Sequence, residues 1–183
     1  VAKKLQTRPQ FLTMRQIMRQ LFLDCDGVLA DFDKQFVLLA GTTGQAYEDE
    51  HGSVAFWNLI QNSKKFFEDM PLMSDALELY AAVKHHRPII LTGCPRGIWS
   101  VQQKLIWRDK HFKGVPMITC LSKDKVDYCQ PGDILVDDFL KHSQKWIDGG
   151  GVFVHHTDTT STLSQIGFAV MCESRPANNF FQY

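Results

Sequence analysis

Three absences narrow what this sequence can be. It has no excess of charge: 20 Lys and Arg face 20 Asp and Glu, for a formal net charge of zero. No global field therefore draws it to a nucleic-acid polymer or an anionic membrane. It has no apolar run approaching the roughly 18 residues that a bilayer span needs. Its five cysteines, Cys25, Cys94, Cys120, Cys129 and Cys172, include no C-x-x-C pair. Scattered and odd in number, they suit reduced thiols in a cytoplasmic protein better than a disulfide framework or a zinc site. Repeats and low-complexity segments are absent too.

One local imbalance stands against the neutral whole. Lys3, Lys4, Arg8, Arg15 and Arg19 precede the first acid, Asp24. A basic, acid-poor stretch can be a targeting peptide, but this one contains no serine, and a solvated arm or short helix over 1–19 is the expectation.

What is present is an alternation of strand-length apolar runs with helical patterns, the mark of an α/β parallel sheet. The expected strands are Leu21–Asp24, Pro88–Thr92, Val115–Leu121, Ile134–Val136 and Val152–His155. Ser74 can cap a helix carrying Ala76, Leu77, Leu79, Tyr80 and Val83 at helical spacing. A second helix is expected over Ile98–Phe112 and a third around Trp146, stopped by Gly149-Gly150-Gly151. Residues 33–73 break the rhythm. They are helix-like, hold Phe36, Phe56, Trp57, Phe66 and Phe67, and exceed what a crossover requires. They read as a small helical cap inserted after the first strand, with 1–32 and 74–183 forming the core.

In an open parallel sheet, ligands bind beyond the carboxyl ends of the strands. The first strand ends in Asp24, Asp26 and Gly27, the second in Thr92, Gly93 and Cys94. The third leads into Ser122, Lys123, Asp124 and Lys125, and the fourth into Asp137 and Asp138. Clustered carboxylates repel one another and imply a cation, and an all-oxygen set with phosphate nearby favours Mg²⁺. A hydroxyl, backbone amides and a lysine can hold phosphate oxygens. One aspartate can attack phosphorus while another moves protons.

"DCDGVLAD", "ILTG", the lysine of "SKDK" and "LVDDF" resemble, in order, the four motifs of the haloacid dehalogenase superfamily of phosphohydrolases. "DCDGVLADF", "FFEDMPLMSDALELY" and "KDK…ILVDDF" are similar more narrowly to the 5′(3′)-deoxyribonucleotidases, the cytosolic type C nucleotidases. The resemblance implies a Rossmann-like α/β core with a cap, a Mg²⁺ cofactor and hydrolysis of phosphomonoesters through an aspartyl-phosphate. Its most direct substrate would be a (deoxy)nucleoside monophosphate. It implies Asp24 as nucleophile and metal ligand, and Asp26 as acid/base with its carbonyl on the metal. Thr92, Gly93 and Lys125 would bind phosphate, Asp138 would ligate the metal, and Asp137 would support it.

Phe32, Phe56 and Trp57 fall where that family places aromatics against a nucleobase, and Arg96 is a further candidate for the leaving-group side. Lys123 competes with Lys125 for the phosphate, with Lys125 favoured. One departure stands out: Thr92-Gly93-Cys94-Pro95 replaces Thr-Ser-Pro, so a phosphate-side hydroxyl is missing. A sugar phosphate as substrate, or a binding protein that keeps the fold without turnover, are the alternatives. Neither the oligomeric state, homodimer or monomer, nor the closing of the cap is legible here.

Overall fold

The computed structural model describes residues 19–172, so the basic arm, apart from Arg19, lies outside the described residues. Five strands form one parallel sheet in the order β3-β2-β1-β4-β5: β1 Leu21–Leu23, β2 Ile89–Gly93, β3 Met117–Cys120, β4 Ile134–Asp137 and β5 Val152–His155. The central strand β1 pairs with β2 on one side and β4 on the other, and all three of its residues are buried. Such strands need apolar residues on both faces, which is why they read as continuous runs.

Alternation within the strands sorts the core into two layers. Leu21 and Leu23 join a large cluster on one face; Phe22, with Leu91, Leu135 and Trp146, forms a smaller one on the other. Helices α3 (Ala76–Val83), α4 (Trp99–His111), α5 (Ser143–Asp148) and α6 (Thr159–Cys172) follow in chain order. Among the described residues no helix is long and apolar enough to cross a membrane.

Between β1 and α3 lie α1 (Phe32–Ala40) and α2 (Gly44–Asn62). Asp31 caps α1 by accepting from the Lys34 amide at 2.9 Å, and Thr43 caps α2 through the Ala46 amide at 3.2 Å. Helix α2 is interrupted at Gly52, whose φ of 81° no helix accommodates. Chain entry and exit of this segment run side by side. The Asp31 amide donates to the Pro71 carbonyl at 2.8 Å, and the Met73 amide to that of Leu29 at 2.9 Å. Phe36, Phe56 and Ile60 belong to the same apolar cluster as Leu21 and Leu23, so the segment shares the sheet's core.

Two sequence expectations need correction. The third strand is shorter than Val115–Leu121, because the Val115 amide turns back to the Phe112 carbonyl and Leu121 precedes a 3-10 turn. Ser74 is not the cap of α3. Asp75 precedes that helix, and its carboxylate turns away to accept from the Thr159 amide (2.8 Å) and hydroxyl (2.9 Å), capping α6 instead.

Candidate active site

Parallel pairing puts the carboxyl ends of all five strands at one edge, and β1 lies at the point where the connections reverse direction. The chain leaves β1 in a tight loop: the Leu29 and Ala30 amides both donate to the Cys25 carbonyl at 2.8 Å. Cys25, Val28, Leu29 and Ala30 are fully buried and anchor this loop beneath the site. Gly27 has φ +77°, and a Cβ there would lie inside contact distance of the Asp138 carboxylate. The loop therefore closes on Asp138 only with glycine at this position.

Asp24 is buried. Its Oδ1 accepts from the Cys25 amide at 2.7 Å and its Oδ2 pairs with Lys125 Nζ at 2.9 Å. Lys125 Nζ also bonds Asp137 Oδ2 at 2.7 Å, while Asp137 Oδ1 takes the Phe139 amide at 2.8 Å. Asp137 is thereby held in the sheet and Asp138 faces the cavity. Carboxylate oxygens of Asp24, Asp137 and Asp138 all lie within 4.8 Å of one another. Asp138 is exposed toward the cavity, but the protein packed around its carboxyl, then the neighbouring charges of Asp24 and Asp137, push it up to about 7. Burial and Asp24 push Asp137 up to about 6, against the opposing pull of Lys125. Burial works to lower Lys125, yet Asp24 and Asp137 hold it above the ordinary lysine value.

Across the loop, the ammonium of Lys104 in α4 makes three bonds at once: Asp26 Oδ2 at 2.6 Å, Thr92 Oγ1 at 2.7 Å and the Gly93 carbonyl at 2.9 Å. Lys104 is fully buried, and burial would lower it, but the Asp26 charge keeps it above its usual value. Asp26 is itself raised by burial, with Lys104 opposing. Its other oxygen, Oδ1, is buried and has no hydrogen-bond partner. Sequence reading missed Lys104, because a lysine inside a helical pattern is ordinarily a solvated one. The only signal was its place in the stripe Ser100, Gln103, Lys104 and Trp107, all four of which are buried at helical spacing.

One cavity of about 910 Å³ joins these groups to the α1–α2 segment. It is lined by Asp24, Asp26, Gly27, Asp138 and Lys125, and also by Phe32, Phe56, Trp57, Gly93, Cys94 and Arg96. Phe67 of the cap and Ser122 at the third strand's end line it too, with Trp99 and Gln61, which the sequence reading did not single out. Thr92 does not: it is fully buried, and its hydroxyl faces Lys104 instead of the cavity. Thr92, expected to bind phosphate, sits beneath the site with its hydroxyl accepting from the Lys104 ammonium at 2.7 Å. Lys123 is exposed and paired with Asp124 at 2.7 Å, away from the cavity.

The donor set fits a hard divalent cation. Carboxylate oxygens of Asp24, Asp137 and Asp138 converge within 4.8 Å of one another, an all-oxygen set of the kind a hard cation takes. Among the described residues no histidine or cysteine joins the cluster, as a zinc site would require.

The sheet order and the carboxylates at its carboxyl edge define the class of fold, a Rossmann-like α/β sheet. In keeping with this, a haloacid dehalogenase superfamily hydrolase from Ehrlichia chaffeensis aligns over 82% of this chain and 97% of its own, with TM-score 0.50 at 12% identity. A hydrolase from Pseudomonas syringae aligns over 82% and 89% respectively, at 11% identity and TM-score 0.45. No curated protein matches significantly. The family described as "5' nucleotidase, deoxy (Pyrimidine), cytosolic type C protein" matches residues 15–160, most of the chain. The chain belongs to that family.

Proposed function

We propose that the protein is a Mg²⁺-dependent phosphomonoesterase acting on (deoxy)nucleoside monophosphates through an aspartyl-phosphate intermediate. The observation that carries this reading is a single cavity lined both by Asp24, Asp26, Asp138 and Lys125 and by the aromatic rings of Phe32, Phe56 and Trp57. The family described as deoxynucleotide-type 5' nucleotidases supports it.

Asp24 attacks phosphorus as its carboxylate, forming the acyl-phosphate bond as the ester P–O bond breaks. Asp26 gives its proton to the departing oxygen, and its unpartnered Oδ1 is the atom free to carry that proton. Ionised Asp26 then takes a proton from water, whose oxygen attacks phosphorus and releases inorganic phosphate and the Asp24 carboxylate. Lys125 lies beside Asp24 to hold phosphate oxygens, and Lys104 holds Asp26 in place. Asp24 and Asp138, with Asp137 and the Asp26 carbonyl in support, would hold a magnesium ion, which would supply charge neutralisation for the phosphate dianion. Segment 33–73 acts as a cap whose rings receive the nucleoside. A cytoplasmic setting belongs to the same proposal, in line with the family's description and the free thiols of Cys25, Cys94, Cys120 and Cys129.

The test is a phosphomonoester panel with wild type and Asp24→Asn, with and without chelator. Wild type should prefer nucleoside monophosphates, lose turnover on chelation and regain it with Mg²⁺. Asp24→Asn should lose about 10⁴-fold or more in kcat, the scale of a removed nucleophile. Preference for a sugar phosphate would overturn the substrate, and chelator-resistant turnover would overturn the metal.

A further inference from the structure

Helix α4 reaches the site with Lys104, yet the buried polar residue beside it, Gln103, touches no group of the reaction. It is 7% exposed, and its Oε1 accepts the backbone amide of Phe67 at 2.9 Å. A glutamine in a core is retained at a desolvation cost unless its bonds are made, and this one spans 36 residues to the end of the α1–α2 segment. One turn on, the Trp107 indole donates to the Met70 carbonyl at 2.8 Å. Two main-chain groups of the segment's return are thus tied to one face of α4.

Phe67 borders the cavity from within the core, with only 1% of its surface exposed, so it backs the wall. Trp99, which lines the cavity, lies with its ring centroid 5.6 Å from that of Phe67, and the Lys104 ammonium sits 4.9 Å from the Phe67 centroid. Phe67 is therefore placed by three residues of a single helix, one of which also holds Asp26. Displacing it alters the cavity wall without touching Asp24, Lys125 or Asp138.

We propose that Gln103 is a positioning residue for leaving-group selection: it fixes Phe67 as the backing of the cavity wall, in register with the acid/base that the adjacent Lys104 holds. The inference rests on the phosphomonoesterase reading of the site. Gln103 acts on the binding of a bulky leaving group, through Phe67, and leaves the phosphate chemistry alone.

The experiment compares Gln103→Leu, which removes the acceptor at similar volume, with Gln103→Glu, which keeps an acceptor oxygen at the same reach. KM and kcat are measured for a nucleoside monophosphate and for p-nitrophenyl phosphate. Amide hydrogen exchange is followed in peptides covering 64–70 and, as reference, β1. Gln103→Leu should raise KM for the nucleotide about tenfold, the size expected when a buried amide loses its acceptor. Its kcat, and both constants for the aryl phosphate, should stay within about twofold. Exchange at 64–70 should quicken while β1 is unchanged, and Gln103→Glu should recover most of the loss. Gln103→Met, a second acceptor-free side chain of similar length, should show the same split between substrates if Gln103→Leu fails to fold.

Equal losses on the two substrates, or unaltered exchange at 64–70, would overturn the role of Gln103. A wild-type enzyme that cleaves the aryl phosphate but no nucleotide would instead overturn the nucleotidase reading. The exchange measurement alone then decides whether Gln103 holds Phe67.

Discussion

Lys104 has three hydrogen-bond donors on one nitrogen and uses each on a different acceptor: a carboxylate, a hydroxyl and a carbonyl. An ammonium suits that geometry and a planar guanidinium does not. Lys104→Arg is therefore expected to fail as a conservative change. Lys104→Met keeps the length of the side chain but strands the Asp26 carboxylate and leaves the Thr92 hydroxyl only its 3.4 Å bond to the Gly93 carbonyl. Breaking a buried pair on one side costs about 3–5 kcal/mol at most, and the partial exposure of Asp26, 28% for its side chain, should bring this nearer about 2 kcal/mol. A melting curve should show the loss. The kcat should fall about 10²-fold or more because Asp26 is no longer held for proton transfer. If Lys104→Arg matches wild type in both stability and kcat, the three-acceptor account is wrong.

At the level of the element, the loop after β1 decides the site. Gly27 combines a left-handed φ with a position where a side chain would meet Asp138. The expected outcome of Gly27→Ala is a modest stability loss of about 1 kcal/mol from backbone strain. Activity should fall disproportionately, at least tenfold, because Asp138 is pushed from its place opposite Asp24. The discriminating measurement is Mg²⁺ titration of activity: the midpoint should rise in Gly27→Ala. An unchanged midpoint with reduced kcat would mean that the methyl disturbs something other than the Asp138 carboxylate.

Over the whole molecule, α3 and α6 meet in a buried polar cluster far in sequence from the catalytic motifs. His156 is 4% exposed, its Nδ1 lies 2.8 Å from Thr162 Oγ1, and its Nε2 is 3.9 Å from Asp75. Burial lowers its pKa, against the opposing charges of Asp75 and Asp158. The folded protein thus keeps His156 neutral where the unfolded chain, titrating near 6.5, takes up a proton. Stability from this group is complete above the unfolded value and declines as pH falls below about 6.5 toward the folded one, by at most about 1.4 kcal/mol per pH unit. Burial lowers His86, His111 and His142 in the same direction. Asp137 and Asp138, raised to about 6 and about 7, work in the opposite direction over the same range. The His156 contribution is therefore read as a difference: between pH 7.5 and pH 5.5 the Tm of the wild type should fall relative to that of His156→Gln. An identical pH dependence of Tm in the wild type and His156→Gln would show that burial of His156 contributes nothing to it.

The strands were legible because parallel strands buried on both faces have to be apolar throughout, as Leu21–Leu23 and Ile134–Val136 are. The carboxylates that end them stood out because acids directly after such runs have no packing reason to be there. Local spacing thus determined the strands, within a residue or two at their ends, and the residues along their carboxyl edge, while the four motifs in order carried the resemblance to the superfamily. Contacts distant in sequence decided the rest. Lys104 lies 78 residues from Asp26, and as sequence it differs in nothing from a surface lysine on a helix. Thr92 sits where a phosphate contact was expected, but that same lysine turns its hydroxyl inward. Asp75 looks like an ordinary residue before a helix until Thr159, 84 positions later, supplies the donors that reorient it. A polar side chain's role depends on which donors and acceptors surround it once water is excluded. Only the packed chain brings those partners within reach.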